Sequence, residues 1–141
     1  MIQFRFILTI LLCLPLLFFT VNSTASHTLT FGEVIDNLDL KAQTKYHVKE
    51  YIKSLRGTEV SWKGEVTDVT GGRNKVRIMV ANTDRPTVKG YNIVLTIYND
   101  YDSAAANLKK GQIIKFSGAL NNFKGGRNGG VIVFLDNARI K

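Results

Sequence analysis

The sequence predicts a mainly β fold: a five-stranded Greek-key barrel with a short helix between its third and fourth strands, preceded by an N-terminal helical extension. Two observations carry this prediction. Residues 57–141 contain five segments in which apolar and polar side chains alternate, which is the two-residue period of half-buried strands. Before residue 57 the apolar residues instead recur every three or four positions, which is the period of an α-helix.

The first 25 residues have the layout of a secretory signal peptide. Arg5 supplies a positive charge, Phe6–Val21 is an almost unbroken apolar run, and Ser23–Ala25 offers small residues for cleavage. The apolar run is also shorter than the roughly 20 residues of a spanning helix. We therefore expect a periplasmic or secreted protein with no stable membrane span once the signal is cleaved. The alternative is a retained N-terminal anchor in the inner membrane, with the protein facing outward.

Composition excludes several functional classes. The 141 residues suit one domain, and 19 basic against 11 acidic side chains give a net charge of +8, or +7 once Arg5 is removed. Cys13 is the one cysteine and lies in the signal, which excludes a disulfide scaffold and a cysteine zinc site. His27 and His47 have no partner at metal-ligand spacing, and no nucleophile and base can be paired. The sequence thus predicts no metal, no cofactor and no catalysis.

Residues 26–56 predict two helices. Thr30 and Glu33 fit a capping box, in which each side chain satisfies a backbone donor at the start of the first helix. The second helix is expected over Lys45–Leu55 and ends at Gly57, a residue favoured just beyond a helix. The apolar faces of the two helices are predicted to hold Phe31, Val34, Ile35 and Leu38 in the first, and Val48, Tyr51, Ile52 and Leu55 in the second.

The strands follow in the order of an OB-fold, the five-stranded Greek-key barrel. Trp62 is expected in the core of the first strand, and Gly64 fits the bend that a barrel needs there. In the third strand Ile93, Leu95 and Ile97 are predicted to point inward, with Asn92, Val94, Thr96 and Tyr98 outward. The expected ranges are Glu59–Thr67, Lys75–Val80, Tyr91–Tyr98, Gln112–Leu120 and Val131–Ile140, with a helical turn over Asp102–Leu108.

Four stretches of the chain match a family pattern: RGTEVSWKGEVTDV, YNIVLTIYND, LKKGQIIKFSGAL and VIVFLDNARI. They resemble the bacterial exported OB-fold proteins grouped as tRNA anticodon-binding-domain-like, over about residues 55–141. The most recognisable element is V-x-W-x-G-x-V at Val60–Val66, which is a signature of the fold. The resemblance implies the barrel and export but no particular activity. The predicted organisation is a signal peptide (1–25), a helical lead-in (26–56) and an OB-fold domain (57–141).

The tetrapeptide GGRN occurs twice, at Gly71–Asn74 and Gly125–Asn128, and each copy precedes a strand. In an OB-fold the corresponding loops flank the face that binds oligonucleotides and oligosaccharides. We therefore expect both loops on one rim, with Thr96 in the floor between them. Cations interleaved with aromatic rings suit single-stranded nucleic acid, through phosphate contacts and base stacking. The candidate ligand-binding residues are Arg73, Asn74, Lys75, Arg77, Tyr98, Phe123, Lys124 and Arg127, the Phe123 and Lys124 pair lying on the second loop.

A simpler interpretation of the repeat is turn chemistry. Glycine and asparagine accept positive φ, which tight turns require, and an exposed arginine keeps a turn soluble. Two such turns in one small barrel need no ligand. Both interpretations are open at the level of sequence.

A second charged feature lies in the helical lead-in, where Lys41, Lys45, Lys49 and Lys53 recur every four residues. Like charges at this spacing repel by a few tenths of a kcal/mol per pair. The ridge could contact anionic lipid, nucleic acid or cell-wall polymer, or it could be a solvated face relieved by Glu50. Solvation is the simpler of these interpretations.

These observations predict an exported binding module for an anionic polymer such as single-stranded nucleic acid, without catalytic activity. The alternative is an envelope protein-interaction or stress-related module that binds a protein, glycan or lipid partner. The OB-fold itself does not decide between them, because one fold hosts many functions.

Overall fold

A computed structural model describes residues 28–98, 103–125 and 130–141 of the chain. The predicted signal peptide, His27, Asp102 and Arg127 lie outside the described residues. Two helices come first, and five strands follow with one short helix among them. The elements are α1 (Phe31–Leu38), α2 (Lys45–Leu55), β1 (Glu59–Gly71), β2 (Lys75–Ala81), β3 (Ile93–Tyr98), α3 (Ser103–Ala106), β4 (Ile113–Gly125) and β5 (Val131–Ile140).

The strands form a closed barrel in the order β1-β2-β3-β5-β4, which confirms the predicted fold class. The β3–β5 pair is parallel and the other four pairs are antiparallel. β1 is long enough to pair with β4 through its first half and with β2 through its second half. Glu65 lies where the two ladders meet, opposite both Ala81 and Ile113. Gly64 directly precedes this crossing, and the register shift of β1 lies beyond it, between Val66 and Asp68.

The core fills the barrel and extends to α1. Phe116, Ile78 and Leu135 are fully buried within it. Phe31 of α1 packs edge-to-face on Trp62, with ring centroids 5.2 Å apart. The indole N–H of Trp62 donates to the Leu29 carbonyl at 2.8 Å, so the ring is buried with its polar atom satisfied. The predicted capping box at Thr30 and Glu33 and the core position of Trp62 are both confirmed.

The second helix has the predicted bounds and packs lightly. It ends before Gly57, whose φ of 84° places it in the left-handed region that favours glycine. Leu55 is buried, whereas the other residues of the predicted apolar face are half-buried. The prediction of which face of α2 packs against the protein is therefore correct, and much of the helix surface remains exposed to solvent.

β4 continues five residues beyond its predicted end. Asn121–Gly125 was expected to begin a glycine-rich loop, but these residues extend the antiparallel ladder to β5. Phe123 lies opposite Val133 and Lys124 opposite Ile132, so both residues are on a strand and not on a loop. The partner strand supplies backbone hydrogen bonds that outweigh the loop propensity of asparagine and glycine.

Three of the four residues predicted to face outward on β3 are buried, and Tyr98 alone of the four is exposed. Asn92 is 1% exposed, Val94 5% and Thr96 6%. β3 lies between β2 and β5, and the register sets longer side chains beside it, with Met79 and Arg77 of β2 opposite Val94 and Thr96. Thr96 is therefore not an exposed floor for a ligand. The alternation of apolar and polar residues predicts which side of the sheet a residue faces. It does not predict whether neighbouring side chains cover that side.

The burial of Tyr51 of α2 near Glu33 of α1 makes the stability of the protein depend on pH in the alkaline range. Burial raises the pKa of Tyr51 above its ordinary value of 10.0; the negative charge of Glu33 adds to this, and a hydrogen bond with Asn37 opposes it. Above about pH 10 the unfolded chain loses this proton before the folded chain does, so the free energy of unfolding falls as pH rises.

We expect Tyr51→Phe to reduce the decrease in the free energy of unfolding above about pH 10. The measurement is urea unfolding of the wild type and the variant at about pH 8, 10 and 11. Tyr46→Phe is the matched control, because Tyr46 is 75% exposed. Equal slopes in both variants would contradict the assignment to Tyr51.

Candidate nucleic-acid interface

The start of β2 and the end of β3 form one exposed basic surface, which we define by Arg73, Lys75, Arg77 and Tyr98 and name the basic face. Lys75 lies directly opposite Tyr98 in the antiparallel ladder, and Arg77 lies two residues further along the same side of β2. Arg73 is in the connection between β1 and β2, next to this end of the sheet. All four side chains are exposed, as is Asn74 beside them.

The cations of the basic face are available to a ligand. Among the described residues, Arg73, Lys75 and Arg77 take part in no ion pair and no side-chain hydrogen bond. Elsewhere on the surface Arg85 is held by Asp36, with a closest N···O distance of 2.8 Å. An anion at the basic face would therefore not have to displace a carboxylate of the described residues.

Tyr98 provides an aromatic ring beside these cations. The side chain is 43% exposed, and its hydroxyl donates to Oδ1 of Asp136 at 3.4 Å. Slight burial and the nearby carboxylate of Asp136 raise the pKa of Tyr98, and the charge of Arg77 partly opposes them. The phenol is therefore neutral at physiological pH, and its ring can stack on a base.

A fork between β3 and β5 opens a cleft next to Tyr98. The parallel pairing ends at Leu95 and Leu135, and β5 then follows β4 alone. Asn137 has a φ of 51° at this point, opposite a shift in the β4 register, so the strand bulges. The cleft is lined by Glu59, Ile97, Tyr98, Ala119, Asn137, Ala138 and Arg139.

The described residues at the bases of the two GGRN segments lie at different ends of the barrel, and residues 126–128 of the second segment are outside the described part of the chain. Lys75, at the base of the first, lies beside Tyr98 at the end of β3. β5 runs parallel to β3, with Ile93 opposite Val133. Val131, at the base of the second GGRN segment, therefore lies near the start of β3, at the end of the β2–β3–β5 sheet away from Tyr98. The described bases therefore give no support to a common rim, and Phe123 and Lys124, opposite Val133 and Ile132, lie away from the basic face. Parallel pairing of β3 with β5 is a long-range feature that no local pattern reveals.

The first GGRN turn also does not use positive φ. Within the described part of the chain, positive φ occurs at Gly57, Lys89, Gly90, Gly111 and Asn137. The turn is closed by the Gly72 N–H, which donates to the Lys75 carbonyl at 2.8 Å. The prediction that glycine and asparagine occur at this turn because they tolerate positive φ is therefore wrong.

No family model matches the chain, and no curated protein matches it. A solved structure from Klebsiella pneumoniae subsp. pneumoniae, provisionally named a nucleic acid-binding lipoprotein, is similar with a TM-score of 0.49 and 14% sequence identity. The match covers 65% of this chain and 76% of that chain. At this level of similarity no role passes from that protein to this one, and the basic face is interpreted from its own residues.

Sequence reasoning missed three residues around the basic face: Asp136, Asn137 and Arg139. The one available signal was the Asp-Asn pair inside an apolar strand, because asparagine tolerates left-handed φ and often marks a bulge. In residues 28–98, 103–125 and 130–141, no three His, Cys, Asp or Glu side chains are grouped so that they could hold a metal ion. No helix in these ranges is long and apolar enough to cross a membrane.

Proposed function

We propose that this protein is an exported, non-catalytic binding module that holds a single-stranded nucleic acid, or an anionic polymer of similar chemistry, across the basic face. The observation that carries the proposal is the pairing of Lys75 with Tyr98 in the β2–β3 ladder, with Arg77 on the same side. Exposed cations that have no carboxylate partner within residues 28–98, 103–125 and 130–141 lie there beside an exposed aromatic ring.

The chemistry of the face suits such a ligand. Side chains two residues apart on one strand lie about 7 Å apart, so Lys75 and Arg77 can contact successive charged groups of an extended chain. Arginine adds bidentate contact to a phosphate. The Tyr98 ring offers stacking that does not depend on base identity, and the cleft beyond it leaves room for the polymer to continue toward Arg139.

Export is the second part of the proposal. It is supported by the sequence of residues 1–25 and the absence of any cysteine after Cys13. The ligand would then be a polymer that the protein meets outside the cytoplasm.

The test is fluorescence anisotropy of a labelled single-stranded oligonucleotide at low and moderate salt. We expect Lys75→Ala/Arg77→Ala to weaken binding at least roughly tenfold and to reduce the salt slope by about 1.4, or 0.7 for each phosphate that is no longer neutralised. The matched control is Lys109→Ala/Lys110→Ala, which removes the same charge from an exposed turn. Tyr98→Phe should keep most of the affinity, whereas Tyr98→Ala should lose about tenfold through stacking.

Equal losses in the two double variants would contradict the proposal, because binding would then depend on net charge alone. Absence of oligonucleotide binding by the wild type would contradict the nucleic-acid assignment. Repeating the titration with a carbohydrate polyanion would then decide whether the face binds another anionic polymer.

A further inference from the structure

The solvent face of α2 and the residues before it form a second basic surface, separate from the β2–β3 ladder. Lys41, Lys45 and Lys49 are exposed and have no ion-pair partner among the described residues. Lys53 extends the row and is paired with Glu50 at 2.7 Å. Lys45 and Lys49 are one helical turn apart within α2, and because like charges at this spacing repel, the pair costs stability in the isolated protein.

Apolar side chains stand exposed within this basic row. Tyr46 is 75% exposed, and Lys49 and Lys53 lie three and seven residues after it, on the same side of the helix. Leu40, just before the helix, is 59% exposed. Leu55 marks the opposite, buried side. The surface therefore combines amines with one aromatic and one aliphatic group on a convex helix.

From this combination we infer that α2 docks on an anionic lipid bilayer. Amines are attracted to a negatively charged membrane surface by about 1 kcal/mol each, and tyrosine favours the level of the lipid headgroups. The aliphatic side chain of Leu40 gains from leaving water, a gain that the phosphates of a nucleic acid would not provide. A convex helix also lacks the groove in which a single strand could lie. The inference does not depend on the proposed function of the basic face.

The test follows acetylation of lysines in the full-length chain by mass spectrometry. The chain is mixed with vesicles of phosphatidylglycerol and phosphatidylcholine, or of phosphatidylcholine alone. We expect the anionic vesicles alone to protect Lys41, Lys45 and Lys49, with Lys109 and Lys110 labelled equally in both. The comparison is site-resolved, so it is valid whether or not the N-terminal apolar segment itself enters the bilayer.

A charge-reversal pair makes the test quantitative. Lys45→Glu/Lys49→Glu should raise the anionic vesicle concentration that half-protects Lys41 by at least about thirtyfold, or about fivefold for each lysine removed. Lys45 is in the first turn, where glutamate favours a helix, so the variant should fold. Lys109→Glu/Lys110→Glu is the control of equal charge and should leave protection unchanged.

Three outcomes would overturn the inference. The first is that neutral vesicles protect Lys41, Lys45 and Lys49 from acetylation as well as anionic vesicles do, and the second is that neither kind of vesicle protects them. The third is that a single-stranded oligonucleotide, added in place of vesicles, protects these lysines. The last would assign α2 to nucleic-acid binding.

Discussion

Replacing Gly64 with alanine is expected to destabilise the barrel by about 3 kcal/mol. A Cβ atom at this position would lie 2.4 Å from Cγ1 of Val80 and 2.9 Å from the Ala81 carbonyl oxygen. Val80 could change rotamer, but the carbonyl belongs to the backbone of β2, so the ladder itself must shift. Because β1 passes from β4 to β2 beside this residue, the shift would disturb two strand pairings at once.

Gly71→Ala is the matched control for this prediction. Gly71 is in the same strand, and a Cβ atom there would meet nothing within 4 Å. We expect the control to change the free energy of unfolding by less than about 1 kcal/mol. Urea unfolding of the two variants and the wild type provides the comparison. Equal stability of the two alanine variants would show that the barrel does not depend on close approach at Gly64.

The second large effect is expected for Asn92→Ala, with a loss of about 3 kcal/mol. Asn92 is 1% exposed, and its Oδ1 accepts from the Asn82 N–H at 2.7 Å. Its Nδ2 donates to the carbonyls of Asn82 at 2.8 Å and Arg85 at 3.3 Å. Alanine would leave the N–H and the carbonyl of Asn82 buried without these partners, which costs more than the absence of the hydrogen bonds alone.

The loop between β2 and β3 should loosen in this variant, because Asn92 joins its two ends. Arg85 in the loop also holds Asp36 of α1, so the loss should extend to that helix. Asn122→Ala is the control: Asn122 is exposed and its Oδ1 accepts from the Phe123 N–H at 2.9 Å. Its expected effect is within about 0.5 kcal/mol. Similar unfolding midpoints for the two variants would contradict the role assigned to Asn92.

Local patterns predicted the elements whose causes are local. The helical period and Gly57 defined α2 to the residue, because a helix forms its hydrogen bonds within itself. Alternation likewise identified the buried side of β2. β4 was predicted five residues too short, since Asn121–Gly125 becomes a strand through its pairing with β5 and not through its own composition.

The part of the candidate site that depends on neighbouring strands could be predicted from the sequence. Lys75, Arg77 and Tyr98 come together through one antiparallel pair of neighbouring strands, which the alternation of each strand anticipates. The separation of Lys75 from Val131, the described bases of the two GGRN segments, depends on the parallel β3–β5 pair, whose register is set by the whole barrel. Asp136 contacts Tyr98 just beyond the end of that pairing, so no pattern near either residue could have predicted the contact.

Closure of the barrel also restricts how another polypeptide could associate with this protein. Each strand has a hydrogen-bonded neighbour on both sides, and β3 separates from β5 only after Leu95. Within the described strands, an incoming chain finds no long row of open amides and carbonyls along which to add as an extra strand. Sheet-to-sheet aggregation is disfavoured on the same ground. Recognition by the barrel thus rests on side chains, so its specificity can change by surface substitution while the backbone ladder is unaltered.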